Sequence, residues 1–311
     1  MNGIINVYKE KGFTSHDVVA KLRGILKMKK IGHTGTLDPD AVGVLPVCLG
    51  KGTKVCELLT DKDKTYETVM LLGRTTDTQD VSGATLKNCQ ASFEEDVIQT
   101  AINQFIGNIE QVPPMYSALK VNGKKLYELA REGIEIERKA RPITVYDIKV
   151  IDIKTIENQD ESTGTPLKQI EVRMTVHCSK GTYIRTICHD IGEALGCGAC
   201  MKDLKRIQVA NFRIEDSLTL DQIASLRDEG RIEEVIVPIE EMFPNAKKVV
   251  VAKEFCKYIY NGNTFTKRHI QDKIEINHLS QVRVYDSEGV FVGLYEYNNE
   301  KRCFQVVKMF L

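Results

Sequence analysis

The sequence predicts an α+β fold with a mixed, mainly antiparallel sheet, flanking helices and a small β-rich domain at the C-terminus. Two observations indicate this class. Strand-like and helix-like stretches follow one another without the regular βα alternation of a doubly wound sheet. Beyond Pro244-Asn245, an acidic helical region gives way to a run of short strands. We therefore expect two domains, residues 1–244 and residues 245–311.

The N-terminal half opens with a strand and a helix. Ile4, Ile5 and Val7 predict the strand, and Thr14 or Ser15 is a suitable N-cap for a helix with apolar residues at helical spacing. The pattern then predicts a helix near residues 53–59, a strand at 65–72, a polar loop at 74–83 and a helix opened by a capping box at 92–95.

The second half continues this mixture of helices and strands. We expect a helix ending at Gly133, strands at 142–154 and 169–178 around a polar insert at 158–166, a helix from about Thr182, a strand at 204–212 and acidic helical structure at 219–243. The tail predicts a helix near 253–260, an Asn261-Gly262 turn, and strands at 282–285, 290–295 and 303–309.

Composition points to an ordinary globular protein. Hydrophobic residues make up 42% and charged residues 28% of the chain. No apolar run approaches the ~20 residues that a membrane helix needs, and the start lacks the features of a secretion signal. Nine cysteines without framework spacing favour reduced thiols. We expect a cytoplasmic protein with no membrane association, and nothing in the sequence suggests more than a monomer.

Charge is segregated along the chain although the net charge is zero. Residues 1–64 carry 11 Lys/Arg against 7 Asp/Glu, residues 179–213 carry 6 against 3, and residues 214–245 carry 2 against 9. A neutral total can therefore hide a basic face that would suit a nucleic acid. Ordinary solvated faces show similar segregation.

A glycine-bearing loop at residues 32–46 presents one carboxylate, Asp38. Pro39 disfavours the α region for Asp38, and Gly32 and Gly35 allow backbone shapes that side chains would block. His33 lies five residues before Asp38. Loops of this kind often display a reactive group. A surface turn capped by an aspartate fits these residues equally well.

Two other motifs carry weaker signals. Gly50-Lys51-Gly52-Thr53 lacks both the first glycine and the final Ser/Thr of a phosphate-binding loop, so we reject that interpretation. Cys197-Gly198-Ala199-Cys200 is a lone CxxC, and a turn at a helix end is favoured over a metal or redox site because no second ligand pair has matching spacing.

Residues 178–186 run from an alternating strand into the start of a helix. A helix N-terminus favours anions, and an arginine there offers a planar fork for a carboxylate. Arg185 paired with Asp38 would hold that carboxylate ionised. The alternative is a surface arginine beside a core tyrosine, Tyr183. Tyr66 is either an ordinary strand aromatic or a residue that stacks on a nucleobase.

Several separated blocks occur along the chain in a fixed order. They are residues 32–39 with 43–46, Lys64-Thr65-Tyr66, residues 73–80, residues 112–120, residues 179–186 and Leu204-Lys205-Arg206. Together they resemble the signature of the TruB family of tRNA pseudouridine synthases, of the bacterial type. Residues 282–289 are similar to a PUA-type RNA-binding module. Two positions depart from the family pattern, with Glu10 in place of a usual Pro and Cys200 in place of a common His.

The resemblance implies a pseudouridine synthase fold that converts uridine to pseudouridine at position 55 in the T loop of tRNA. By the same match Asp38 is the catalytic aspartate and Arg185 pairs with it. The match assigns substrate contacts to four further side chains: Tyr66 packs against the target base and assists proton transfer, Tyr183 and Leu204 shape the pocket, and His33 displaces the base from the T loop.

The chemistry of this isomerisation sets what the site must supply. The N1–C1′ bond breaks, the base turns, C5 joins C1′ and C5 loses its proton. No electrons leave and no group is added, so we expect no cofactor and no metal. A carboxylate can act at C1′, on the ribose or at C6, and the sequence leaves these routes open. The target base must first be flipped out of the folded loop.

Two other functions remain compatible with the same residues. One is an RNA-binding module that remodels tRNA without modifying it. The other is a dyskerin-like pseudouridine synthase that depends on a guide RNA. Isomerisation of an unmodified tRNA by the protein alone separates the expected function from both.

Overall fold

The computed structural model describes residues 1–121, 123–160, 163–271 and 274–311. Its strands are β1 (Gly3–Lys9), β2 (Ile31–His33), β3 (Val42–Leu49), β4 (Lys64–Leu72), β5 (Arg74–Thr76), β6 (Thr85–Asn88), β7 (Gly107–Gln111), β8 (Lys120–Val121), β9 (Lys124–Lys125), β10 (Arg141–Gln159), β11 (Pro166–Cys178), β12 (Ala199–Val209), β13 (Phe212–Arg213), β14 (Ile236–Val237), β15 (Lys247–Val250), β16 (Gln281–Tyr285), β17 (Phe291–Asn298) and β18 (Cys303–Met309).

Seven α-helices lie in the described ranges. They are α1 (Ser15–Leu26), α2 (Cys56–Thr60), α3 (Glu95–Asn103), α4 (Leu126–Arg131), α5 (Ile184–Ala194), α6 (Leu220–Asp228) and α7 (Cys256–Tyr260). None of the helices in these ranges has the length and apolar character needed to cross a bilayer.

The main sheet has ten strands and is mixed but mainly antiparallel, which confirms the predicted fold class. Its order is β14-β1-β3-β12-β4-β11-β10-β7, with β2 beside β3 and β13 beside β12. The centre is the exception to antiparallel pairing, because β12 runs parallel to β3 and places Arg206 opposite Gly43. On its other edge β12 pairs antiparallel with β4, and there Arg206 lies opposite Tyr66.

Helices cover the main sheet in two groups. The apolar faces of α3 and α5 pack on β4, β10 and β11 around residues such as Met70, Val172 and Ile187. Helices α1 and α6 pack on β1 and β3 around Val18, Leu22 and Ile223. The start of α1 and the start of α5 are thereby fixed on the sheet that carries the loop at residues 32–46.

Most predicted elements lie where the pattern placed them. Helix α1 has Thr14 as its N-cap, with a capping box to Asp17, and β18 spans the predicted residues. Gly196 follows α5 with a φ of 75°, as suits a residue just beyond a helix end. The polar insert at 158–166 overlaps the ends of β10 and β11, and its residues 161–162 fall outside the described residues.

Four element predictions were wrong in part. The polar stretch at 74–83 contains β5, because its backbone pairs with β6 despite its composition. The capping box at 92–95 is absent: α3 begins after Glu94, which makes no side-chain capping bond. Strand β12 begins at Ala199, five residues before the predicted start. Only residues 220–228 of the acidic region form an α-helix, and 3₁₀ turns and a short strand follow.

The C-terminal residues form the expected β-rich domain, a second sheet of four strands in the order β15-β16-β17-β18. Val284, Tyr295 and Phe304 are among the residues that fill its own core. This sheet also contacts the main sheet, because Phe291 and Phe310 pack into a cluster with apolar residues from β3 and α2. The side chain of Lys54 donates a hydrogen bond to the Met309 carbonyl at 2.8 Å.

Candidate active site

The loop between β2 and β3 is held by hydrogen bonds from several directions. The Thr34 backbone and hydroxyl both donate to the Pro46 carbonyl, at 3.2 and 3.0 Å. The Leu37 N–H donates to the Ser15 hydroxyl at the start of α1, at 3.0 Å. The Asp38 carbonyl accepts from the Ala41 N–H at 3.1 Å. These bonds give the loop one backbone path, so the direction of the Asp38 side chain is set by the fold.

The structure brings Asp38 and Arg185 together although 147 positions separate them in the sequence. The Arg185 Nε lies 3.2 Å from Asp38 Oδ2, and Nη1 lies 3.4 Å from Asp80 Oδ2. The same guanidinium donates to the Thr78 carbonyl at 3.1 Å and to the Tyr116 carbonyl at 2.8 Å. Its side chain is 7% exposed, whereas that of Asp38 is 43% exposed. Arg185 is thus a fixed support, and Asp38 is the group that faces outward.

The electrostatics of Asp38 differ from what a simple ion pair would give. The sequence-based expectation considered Arg185 alone, which favours the charged carboxylate. In the structure the pKa of Asp38 is raised, because loss of solvent around the carboxyl outweighs the attraction of Arg185. Asp80 raises the Asp38 pKa further, and Lys9 lowers it.

Tyr66 and Leu204 lie on the two adjacent central strands of the main sheet. Tyr66 is 9% exposed and belongs to the same apolar cluster as Leu37 and Ala41 of the loop. Leu204 is half-buried and packs against that cluster. Tyr66 lies opposite Arg206 across β4 and β12, and the Arg206 guanidinium interacts with its phenol group. Burial raises the pKa of Tyr66, while Arg206 acts in the opposite direction.

Tyr183 and His33 flank this region from different elements. Tyr183 precedes α5, and its backbone is clamped by Gln111, which accepts from the Tyr183 N–H at 2.8 Å and donates to its carbonyl at 3.0 Å. His33 ends β2, where its Nδ1 accepts from the Gly35 N–H at 3.4 Å. Its ring meets the edge of His16 at 5.0 Å. Burial, with His16 nearby, lowers the His33 pKa and favours the neutral imidazole.

Residues 23–184 match the model of the TruB family pseudouridylate synthase N-terminal domain. Residues 185–244 match that of the tRNA pseudouridylate synthase B C-terminal domain. The chain belongs to the TruB family. Among curated proteins, the tRNA pseudouridine synthase B of Lachnoclostridium phytofermentans is 55% identical over 316 residues and covers 100% of both chains. That of Clostridium perfringens (strain SM101 / Type A) is 45% identical and covers 100% of this chain and 99% of the relative.

Solved structures of an H/ACA RNP and of a Cbf5-Nop10-Gar1 complex contain chains with the same fold as this TruB family chain. A chain in an H/ACA RNP bound to a substrate RNA containing 2′-deoxyuridine superposes with a TM-score of 0.70 at 26% identity, covering 99% of this chain and 85% of that one. A chain of a Cbf5-Nop10-Gar1 complex gives 0.69 at 28% identity, with the same coverage. These likenesses confirm the pseudouridine synthase fold that the resemblance implied.

Three charged residues of this TruB family site escaped the sequence interpretation. Lys9 is fully buried and donates to the carbonyls of Glu10, Pro39 and Ala41 at 3.1, 3.0 and 2.6 Å. Asp80 contacts Arg185, and Arg206 contacts Tyr66. Lys9 could have been noticed, because it follows Ile5 and Val7 at the alternating positions that face inward on β1. Asp80 and Arg206 stood in quoted blocks but had no assigned partner.

The CxxC motif of the TruB family chain forms a turn, as its composition favoured. Cys197 lies in the turn between α5 and β12, and Cys200 lies within β12. All nine cysteines of the chain are free thiols. Within the described ranges, no group of three or more His, Cys, Asp or Glu side chains is placed to hold a metal ion.

Proposed function

We propose that this TruB family protein isomerises uridine 55 to pseudouridine in the T loop of tRNA, with Asp38 as the catalytic residue and without a cofactor. The observation that carries the proposal is the outward-facing Asp38 carboxylate fixed by the buried Arg185. The names of the full-length relatives, tRNA pseudouridine synthase B, support the tRNA substrate.

The arrangement suits each step that the reaction requires. Asp38 is open enough to reach a ribose and is backed by Arg185, which compensates its charge when the carboxylate is ionised. Tyr66 provides a ring for the flipped base, and Leu204 and Tyr183 supply apolar walls. His33 lies in the loop as a neutral, partly exposed ring that suits insertion into the T loop in place of the base.

The experiment that tests the proposal maps pseudouridine in one unmodified tRNA treated with the purified protein and no other RNA. We expect a single new pseudouridine at position 55. Asp38→Asn should abolish its formation while leaving the Kd for tRNA within about twofold, because the amide keeps the size of the side chain but lacks its charge. Asp40→Asn, an exposed neighbour in the same loop, serves as the matched control and should retain activity.

The outcomes separate this proposal from its alternatives. Pseudouridine formed by Asp38→Asn would remove Asp38 from the chemistry. Tight tRNA binding without pseudouridine in the wild-type protein would favour an RNA-remodelling module. Activity that appears only when a guide RNA is added would favour the guide-dependent class, to which the likeness to an H/ACA RNP chain gives some support.

We propose further that residues 1–244 form the catalytic domain and residues 245–311 a PUA-like RNA-binding domain. Phe255, Tyr258 and His269 stack on one another, with ring centroids 4.3 Å apart between Phe255 and His269. Lys267 and Arg268, which directly precede His269 in the chain, are exposed, and the Lys267 ammonium lies 4.5 Å from the centroid of the Tyr297 ring. Half-exposed aromatic rings with neighbouring cations suit RNA. We propose that the protein acts as a monomer in the cytoplasm, where free cysteines are stable.

A further inference from the structure

Arg206 occupies a central and unusual position in the main sheet. It lies on β12 between β3, to which it is parallel, and β4, to which it is antiparallel. Its side chain is among the largest that are fully buried, with 1% of the residue exposed. Its electrostatic partner is the Tyr66 hydroxyl rather than a carboxylate. A buried guanidinium without a carboxylate partner costs folding energy, so its position calls for a functional reason.

The hydrogen bonds of Arg206 connect the two halves of the candidate active site. Nε donates to the Val44 carbonyl at 2.8 Å, and Nη2 donates to the Gly35 carbonyl at 3.4 Å. These two carbonyls lie on either side of Asp38 in the loop. Arg206 also lies opposite Tyr66 across β12 and β4, and its guanidinium interacts with the phenol group. One rigid, planar group therefore holds the phenol of Tyr66 and the loop that carries Asp38 in a fixed relation.

The backbone around Arg206 is built to admit it. Gly43 has a φ of 107°, and a Cβ there would lie 2.2 Å from the Arg206 carbonyl oxygen. Only glycine fits this close parallel contact between β3 and β12. Gly35 has a φ of 136°, and a Cβ there would lie 3.7 Å from Arg206 Nη1. Gly35 and Gly43 of the loop thus both lie against Arg206 on β12.

Arg206 keeps its positive charge at a pH where the two neighbouring lysines, Lys9 and Lys64, begin to lose theirs. Burial, with a smaller contribution from Arg206, lowers the pKa of both Lys9 and Lys64 to about 8. These lysines can therefore lose their protons near neutral pH. A guanidinium stays protonated in proteins. The positive charge that acts on the Tyr66 oxygen is that of Arg206.

We propose that Arg206 is a positioning residue for Tyr66, and that its N–H groups stabilise the phenolate that removes the C5 proton in the last step of the isomerisation. The inference rests on the proposed function. After C5 has joined C1′, the C5–H bond breaks and its electron pair restores the ring double bond. The proton passes to the Tyr66 oxygen. N1, which kept the electron pair of the broken glycosidic bond, takes a proton from solvent. Solvent has already taken the proton that Tyr66 lost on becoming the phenolate, so the atoms and charges balance.

The test compares two substrates in single-turnover assays with saturating enzyme. One is a T stem-loop RNA with uridine at the target position, and the other carries 5-fluorouridine there. Fluorine cannot leave C5 as a cation, so consumption of 5-fluorouridine reports bond exchange without proton removal. The variants are Arg206→Lys, which keeps the charge but cannot span three acceptors, and Tyr66→Phe. Lys9→Met is the matched control, because Lys9 holds the same loop without contacting Tyr66.

We expect Arg206→Lys and Tyr66→Phe to slow pseudouridine formation by about 10²-fold or more, in the range of a lost general base. Consumption of 5-fluorouridine should fall less than about threefold, and the Kd for the RNA should stay within about twofold. Deuterium at C5 of the target uridine should slow pseudouridine formation further in Arg206→Lys, because removal of the C5 proton limits the rate in that variant. The wild-type rate should not change. Lys9→Met should slow both substrates equally and show no effect of deuterium.

Equal slowing of both substrates by Arg206→Lys would overturn the proposal and make Arg206 a support of the loop alone. So would an unchanged rate with uridine. If circular dichroism shows that Arg206→Lys does not fold, Tyr66→Phe takes its place as the test, because that variant retains the bonds from Arg206 to backbone carbonyls. Tyr66→Phe must then slow the reaction of uridine much more than the consumption of 5-fluorouridine. A wild-type protein that forms no pseudouridine would instead refute the proposed function, so the two failures are distinguishable.

Discussion

At the scale of single residues, the candidate site contains charged side chains, Arg185 and Lys9, that are buried away from solvent. Arg185 and Lys9 each satisfy several backbone carbonyls, so their cost of burial is offset by hydrogen bonds rather than by ion pairing alone. Asp38 stands at the edge of this group. Its pKa is the balance between lost solvation, which raises it, and the neighbouring cations, which lower it.

Replacing Arg185 with Gln should move the acid limb of the activity profile to higher pH. In the proposed reaction Asp38 acts as an ionised carboxylate, so its raised pKa moves the expected loss of activity to a higher pH than for a free aspartate. Burial and Asp80 raise the pKa of Asp38, and Arg185 is the strongest influence that lowers it. Removing the guanidinium should therefore raise the pKa of Asp38 further. Single-turnover rates measured across pH check this. Arg231→Gln, an exposed arginine with its own glutamate partners, should leave the limb in place.

Replacing Lys9 with Met should give a stability difference that changes with pH. The pKa of Lys9 is about 8 in the folded protein against an ordinary 10.5, so the folded state releases the proton first. Wild-type stability relative to the variant should therefore rise as pH increases from about 8 to 10.5, by up to about 3 kcal/mol. Urea denaturation at several pH values measures it. If the difference in unfolding free energy between wild type and Lys9→Met does not change with pH, the lowered pKa of Lys9 is contradicted. The same holds if the exposed Lys11→Met gives an equal pH dependence.

What the sequence could reveal about the site depended on distance along the chain. Asp38 was visible because its constraints, Pro39 and the glycines, are its neighbours. Its pairing with Arg185 came only through the family resemblance, since periodicity cannot bring two distant residues together. The role of Arg206 was hidden for the same reason, because its partners come from β3, β4 and the loop at once.

At the scale of elements, apolar periodicity predicted well wherever packing decides the structure. Strand β11 alternates buried and exposed residues as its sequence alternates apolar and polar ones. Strand β5 was missed because it is stabilised by backbone pairing with β6, and its polar side chains carry no apolar signal. The capping box at 92–95 failed because the helix starts later than its apparent motif.

Helix α1 supports the loop that carries Asp38 through its first residue, and the variant Ser15→Ala should show this support. The buried Ser15 hydroxyl accepts the Leu37 N–H beside Asp38. Without it that donor is buried and unpaired, at a cost of about 1–3 kcal/mol. We expect a lower melting temperature and a reduced single-turnover rate. Ser225→Ala removes an exposed helical hydroxyl of α6 and should change neither. If Ser15→Ala has the melting temperature and the single-turnover rate of the wild type, the loop is held in place without α1.

At the scale of the whole molecule, the two sheets share apolar surface. Phe310 is 3% exposed and packs with Val55 and Leu59 of the first 244 residues. Truncation before Lys247 would therefore uncover a core cluster as well as remove the C-terminal domain. It would mix loss of stability with loss of RNA contact, so substitutions on the exposed face of the C-terminal domain test RNA binding more cleanly.

The double substitution Lys267→Ala with Arg268→Ala should weaken tRNA binding without slowing the saturated reaction. Both side chains are exposed and directly precede His269, whose ring stacks on those of Phe255 and Tyr258. Each phosphate contact contributes nearly one unit to the slope of log Kd against log salt concentration, so the slope should fall by about 1 to 2. Binding titrations at several salt concentrations, with single-turnover rates at saturating enzyme, measure both quantities.

The matched control for this experiment is Lys301→Ala with Arg302→Ala, another exposed Lys-Arg pair of the C-terminal domain, in the turn between β17 and β18. It removes the same charge from the same domain, so a general loss of electrostatic attraction would lower both slopes alike. A specific RNA surface at the ring stack requires the larger change at Lys267 and Arg268. A reduced saturated rate in that variant would instead connect the C-terminal domain to catalysis, because a group that only binds RNA contributes to affinity and leaves the rate of the bound complex unchanged.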